Sequence, residues 1–457
     1  MQTVDTTKSE GLFRSGQRSS VKQSLLLRVM LPLSVTAALA GCTSTNAIDV
    51  ATQEAALETT DVLKSGLNEP LKAPASLQNL IDASLVKQDP LFEGRSALIE
   101  ASILRRAHGW SRFPDIVPSI SVDDVGQAQG QLNANLTLID WGKSGGEKQT
   151  LDARLLRARM DLWLEHNEFL VDILKRTVEM SAAQSRSELI SEHLKINSRF
   201  QNVVEERVSA GVGEAAEIPL VSLRIQELLR ALAIEENLGA VQVATLAQLS
   251  GLPSAQIPKT TLGKLQKLFS FAPKSMNPPS LQIARSDVLV ADGVIRTALA
   301  DRLPAIVLSG VAALTGAASN GVNLGLGNKS ITDSVAQTDL KLARTSAVVA
   351  LARLQAQEEA LIQNSQLFLL RDRELKARIA ALSKQITVSK QAIETFDKQF
   401  TVGARPITDA VQVYERLYEG QRLLIEAKKE HADLLIERLG ELGALTPQPK
   451  ISLGNAS

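Results

Sequence analysis

The chain of 457 residues reads as mostly α with membrane β: long antiparallel helical hairpins, plus four strands suited to a barrel that one copy cannot close. Three observations carry that reading. Residues 143–210 contain no Pro and no Gly other than Gly145 and Gly146, and residues 330–402 contain neither type. Four short segments alternate apolar and polar side chains with period two. The landmarks of residues 111–224 recur about 190 positions later, as an internal duplication requires.

Composition narrows the class before any motif is considered. Fifty Lys+Arg balance 50 Asp+Glu, so the chain has no electrostatic footprint for a nucleic-acid partner. One Cys excludes a disulfide framework. Aromatic residues make up only 3% of the chain, and the surplus of Ala, Leu, Gln, Glu, Arg and Lys fits long helices better than two or three globular domains.

Residues 29–41 form an apolar run that follows Lys22 and Arg28 and ends in Leu39-Ala40-Gly41 before Cys42. The run is too short to span a bilayer, which needs about 20 apolar residues. It has the form of a signal-peptide core, and Leu39–Cys42 resembles the bacterial lipobox. That resemblance implies cleavage before Cys42, acylation of the new terminus and export. An ordinary secretory signal with an incidental Cys is the plainer alternative. Residues 1–41 are read as the lipoprotein signal peptide and 42–75 as an N-terminal linker.

Two repeats follow, at 76–252 and 280–446, separated by a Pro/Ser/Lys-rich junction at 253–279 and closed by a tail at 447–457. Ser111–Ser119 is echoed by Asp301–Ser309. Gly211, Glu217, Val221 and Arg224 align with Gly403, Asp409, Val413 and Arg416. In the first repeat, strands are expected over about 113–139. There Ile116, Pro118, Ile120 and Val122 alternate with Asp115, Val117, Ser119 and Ser121, and Leu132, Ala134, Leu136 and Leu138 alternate with Gln131, Asn133, Asn135 and Thr137. In the second, Ile306, Leu308, Ala312 and Leu314, then Val322, Leu324 and Leu326, place strands over about 303–327.

Each strand pair feeds a helical hairpin, over about 143–251 and 330–445. Some 68 residues of uninterrupted helix form a rod of roughly 100 Å. The apolar positions of the first rod drift around it, as expected of a helix with neighbours on two sides. Gly211 and Gly213 in the first hairpin, and Gly403 in the second, mark the tips, after which a rod of about 40 residues is expected to return. Strands with one apolar face suit a membrane barrel, but four cannot close one; three copies would supply twelve. A small soluble sheet on a helical stalk is the competing reading.

These residues resemble the TolC-like outer-membrane efflux proteins, over about residues 74–446. The carriers are Ser76–Ile81 through Asp89-Pro90, the junction Leu136–Lys143 with Asp140-Trp141-Gly142, Arg207–Gly211, the closing Leu249-Ser250-Gly251, and above all Gln399–Val411. That last segment is most similar to members serving type I protein secretion. The resemblance implies a homotrimer in which a shared twelve-stranded barrel, set in outer-membrane lipid, continues as a periplasmic α-barrel. It further implies a periplasmic adaptor and an inner-membrane transporter, of ABC type, as partners.

In the same family an Arg, an Asp four residues on and a second Asp three further narrow the periplasmic entrance. Arg405 and Asp409 match the first two. Gln412 stands at the third, a departure that weakens the case for a double acidic ring and a strong cation preference. Three copies of a charge around a narrow axis make physical sense as a gate. A local ion pair on a solvated helix, worth about 0.3–0.5 kcal/mol, is the modest alternative.

No chemistry of catalysis or cofactor binding is legible. Gly142-Lys143-Ser144 opens a helix after a strand, yet a phosphate-binding loop needs Gly five residues earlier, where Thr137 stands. His108, His166, His193 and His431 lack metal-ligand spacing and are expected at helix interfaces or in solvent. No cofactor and no enzymatic activity are expected. The function implied is an outer-membrane export duct for type I secretion, with small-molecule efflux as its variant. An envelope-bridging lipoprotein without a pore is the rival of another class.

Overall fold

In the computed structural model, residues 71–122, 128–211, 214–270, 277–313, 320–327, 334–401 and 407–447 are described, all within one compact unit spanning Ala47–Ser457. The stretch read as a signal peptide, Cys42, most of the 42–75 stretch and nearly all of the tail lie outside the described residues.

Helices α1 (Ala75–Gln88) and α2 (Glu93–His108) open the described chain, joined by a 3₁₀ turn at Asp89–Leu91 where Pro90 cannot continue a helix. Strands β1 (Asp115–Val122) and β2 (Ala128–Ile139) follow. The first rod is α3, Lys143–Ser209, 67 residues and so roughly 100 Å long. Its return, α4 (Glu217–Ser250), is half that length at 34 residues. The second repeat runs through α6 (Pro279–Ala300), β3 (Ile306–Ala313), β4 (Gly321–Leu326), α7 (Ser334–Thr401, 68 residues) and α8 (Ile407–Glu441, 35 residues). The returning rods are thus somewhat shorter than a rod of about 40 residues. Leu314, expected on β3, lies outside the described residues.

The unequal lengths explain why apolar positions drift around α3. Its first half is covered by α2 and α6 and its second by α4 and α8. Gly94 of α2 lets that helix approach α3 so closely that a Cβ would stand 2.8 Å from the Leu162 backbone. On α7, Leu340, Ala343, Ala347 and Ala350 pack on α6 in the first half, and Ile386 and Ile393 join α8 in the second. Every level of the rods is therefore a layer of four helices, with α3 and α7 continuous through both halves.

The largest core is a belt midway down the rods, not at either end. Leu77, Leu80 and Ile81 of α1 meet Leu170, Ile173, Leu174 and Val178 of α3, with Leu246 of α4 and Leu435, Ile436 and Leu439 of α8. The stretch read as a junction between repeats contributes to this belt. It carries a 3₁₀ turn at Ser254–Gln256 and a further helix, α5 (Leu262–Phe269), whose Leu262, Leu265 and Phe269 are buried on one face, together with Ile257. The first and last described stretches are joined here too, the Leu71 amide donating to the Ala444 carbonyl at 2.8 Å.

Candidate channel wall and its two ends

The four strands form one antiparallel sheet in the order β1-β2-β3-β4, so the two strand pairs of the repeats join edge to edge through β2 and β3. Cross-strand partners share a face. Ile116 pairs with Ala134 and Pro118 with Leu132; Leu132 pairs with Ala312 and Leu136 with Leu308; Leu308 pairs with Leu324 and Ile306 with Leu326. All four apolar rows consequently lie on the same side. That side is open: Ile120 is 82% exposed and Val322 80%. The opposite side carries Asp115, Ser119, Gln131, Asn133, Asn135, Thr137, Ser309 and Asn323, interspersed with Val117, Val307 and Val311, and Asn133 Nδ2 donates to Ser119 Oγ at 3.0 Å. A sheet with one apolar face and one mainly polar face has the alternation of a membrane barrel wall.

The sheet passes into α3 through Asp140, Trp141 and Gly142. Trp141 (φ 56°) and Gly142 (φ 92°) both adopt left-handed backbone, the sharp turn that aims α3 away from β2. The Asp140 carboxylate accepts from the Gly142 amide at 3.0 Å and the Ser144 amide at 2.8 Å. The helix N-terminus thus already holds an anion, its own, which is the physical reason Gly142-Lys143-Ser144 offers no phosphate cradle. Trp141 Nε1 donates to the Pro304 carbonyl at 2.9 Å, tying the junction of the first repeat to the start of β3. Trp110 and Phe113, ring centroids 5.8 Å apart, are exposed beside the same end of the sheet. Where β4 leaves the sheet there is no Asp-x-Gly turn; the Gly327 amide instead bonds the Ala305 carbonyl at 2.7 Å.

Large apolar side chains exposed on rod helices fall on α2, α4 and α7, and none is found among the described residues of α3, α6 or α8. These are the two lateral edges of the four-helix layer. On α7, Val335, Leu342 and Val349 fall seven residues apart, as do Ile362 and Leu369, while Gln355, Ala356 and Gln363 interrupt the rows between them; on α4, Ile234 and Val241 are seven apart. Seven-residue spacing is the signature of a seam with another helix.

Between α3 and α8 the layer is braced by polar contacts. Arg186, 9% exposed, reaches Glu179 at 2.7 Å, Glu235 of α4 at 2.9 Å and Glu426 of α8 at 3.5 Å, and Lys429 of α8 binds Glu179 at 3.1 Å. Nothing in the spacing of Arg186 marked it as a node, because its three carboxylates come from three helices. The four histidines all sit at contacts between elements: His108 on the Ser144 carbonyl, His166 on Asp89, His193 on Gln421 and His431 on Asp372. Among the described residues no three potential metal ligands converge.

At the tip, Gly211 (φ 75°) ends α3, and Asp409 lies half-buried in the first turn of α8, where a carboxylate is favoured by the helix dipole. Gln412 is exposed one turn on. Arg405, Gly403 and Gly213 lie outside the described residues.

No family model matches the chain, and no curated protein matches it either. Solved structures do match in fold. The outer-membrane channel OprN superposes with a TM-score of 0.67 at 17% identity, covering 81% of this chain and 90% of that one. The outer membrane protein VceC from Vibrio cholerae gives 0.68 at 16%, covering 81% and 96%. The Campylobacter jejuni CmeC outer membrane channel gives 0.65 at 11%, covering 82% and 87%. The chain therefore has the fold of these outer-membrane channels.

Proposed function

We propose that three copies of this chain form a duct through the outer membrane, through which an inner-membrane transporter and a periplasmic adaptor export their substrate. The observation that carries this is the sheet: four strands with one continuous exposed apolar face, mounted on rods of roughly 100 Å. Four strands leave two unpaired edges, β1 and β4, which closure with further copies removes. The apolar edges of the helical layer support the same assembly, α7 of one copy meeting α2 and α4 of the next. A twelve-stranded barrel over an α-barrel follows.

The finer parts of the proposal rest on sequence. Acylation at Cys42 would add a lipid anchor at the outer membrane. Gln399–Val411 favours type I protein secretion with an ABC-type transporter over small-molecule efflux. Arg405 and Asp409 would close the periplasmic end, with Gln412 lining it. The duct is passive and not an enzyme, the energy coming from the transporter.

Electron microscopy of the detergent-extracted protein tests the assembly. A threefold cylinder with a short barrel and a long tunnel is expected. A solid or monomeric rod would sink the duct and favour an envelope-bridging lipoprotein.

A further inference from the structure

We propose that the contact of α3 with α8 above the hairpin tips is an acid-sensitive joint, with His193 as its proton acceptor. The imidazole is 3% exposed and lies 16 residues before the end of α3, roughly 24 Å along the rod. Its Nε2 meets Gln421 Oε1 of α8 at 3.0 Å, and its ring stands edge-on to Tyr418 of α8 at 5.0 Å. On the same Tyr418 ring, at 5.5 Å, sits the Arg224 guanidinium of α4, which is paired with Glu415 of α8 at 3.4 Å and with its own neighbour Glu227 at 2.9 Å. From α3 itself the Glu192 carboxylate acts on the ring, and Asn197 Nδ2 donates to the His193 carbonyl. Three helices therefore converge on the ring, and the charge from a neighbouring helix that acts on it is the Arg224 cation.

The physical consequence has a definite sign. Burial holds the imidazole below its ordinary value of 6.5 and Arg224 acts the same way, against the Gln421 hydrogen bond and Glu192. A parted joint would return His193 to water and to that ordinary value. The parted state then binds more protons, so the closed joint is at full strength above about pH 6.5 and weakens as pH falls. Linkage allows the opening equilibrium to rise by up to about tenfold per pH unit between the two values. Below the joint, α3 and α8 remain in contact through the apolar cluster of Phe200, Val204, Val221 and Tyr414, and above it through the Arg186 node. The device goes beyond the duct reading and stands without it.

Amide hydrogen exchange on the purified full-length protein in detergent, at steps from pH 7.5 to 5.5 and corrected for the intrinsic pH dependence, tests it. Residues 189–204 and 411–425 are expected to open several-fold more at pH 5.5, while residues 146–160 keep their protection. His193→Gln should abolish the response. Arg224→Gln, which removes the facing cation, should move its midpoint to higher pH and gives a second reading should the first variant misfold. Unchanged protection in the wild type, an intact response in His193→Gln or an unmoved midpoint in Arg224→Gln would each overturn the proposal.

Discussion

Gly146 of α3 and Gly293 of α6 lie face to face just beneath the sheet. A Cβ on Gly146 would stand 2.8 Å from the Gly293 carbonyl oxygen, and one on Gly293 would stand 2.9 Å from the Gly146 carbonyl oxygen. Thr150 and Thr297, each four residues on, turn their hydroxyls back to the carbonyls of the two glycines at 3.0 Å. The two helices cross here in backbone contact, which anchors the sheet to the rods.

Gly293→Ala is therefore expected to destabilise by about 1–3 kcal/mol through overpacking, despite the better helix propensity of Ala. Gly145→Ala is the control, because a Cβ there meets nothing within 4 Å; it should be neutral or stabilising. Thermal melts should show a lower melting temperature for Gly293→Ala and an unchanged or higher one for Gly145→Ala.

The two faces of the sheet make opposite demands. Ile120→Arg places a charge on the apolar face and should cost about 2–4 kcal/mol if that residue lies near the bilayer midplane. Its neighbour Ser119→Arg points to the polar face and should insert normally. Folding yield into liposomes reads the difference; equal yields would contradict the outward assignment of the apolar face.

Asp433 of α8 is within 3.3 Å of Lys429, yet burial outweighs that attraction and raises its pKa above 3.8. Its Oδ1 has no hydrogen-bond partner among the described residues. A raised carboxyl pKa means stability present below 3.8 and lost as pH rises through the folded value. Asp433→Asn should accordingly raise the melting temperature at pH 7, and the gain should shrink as the pH approaches 4. Melting curves at the two pH values check the sign.

For the tip, the Arg405→Ala, Asp409→Ala double variant is expected to raise single-channel conductance in a planar bilayer. Conductance equal to that of the wild type would remove these residues from the gate.

The local parts of this fold were legible because local rules determine them. Period-two alternation marked the strands; the Pro-free and Gly-poor stretches marked α3 and α7; Gly211, with its positive φ, marked the end of a rod. The candidate gate was legible only as a resemblance, since Asp409 and Gln412 have no pattern of their own. Leu262, Leu265 and Phe269 were spaced as one helical face, so the packed helix inside the inter-repeat stretch had a signal, hidden among its prolines.

The sequence by itself thus determined which residues alternate and how long the two continuous rods are, because those follow from backbone geometry one residue at a time. Only the tertiary structure decided that β2 pairs with β3, from the other repeat, in the register that turns all four apolar rows to one side. It also decided that half-length helices stack along α3 and α7, and that Arg186 and His193 meet their partners from other helices. Those outcomes depend on contacts between residues far apart in the chain, whose energies no local pattern encodes.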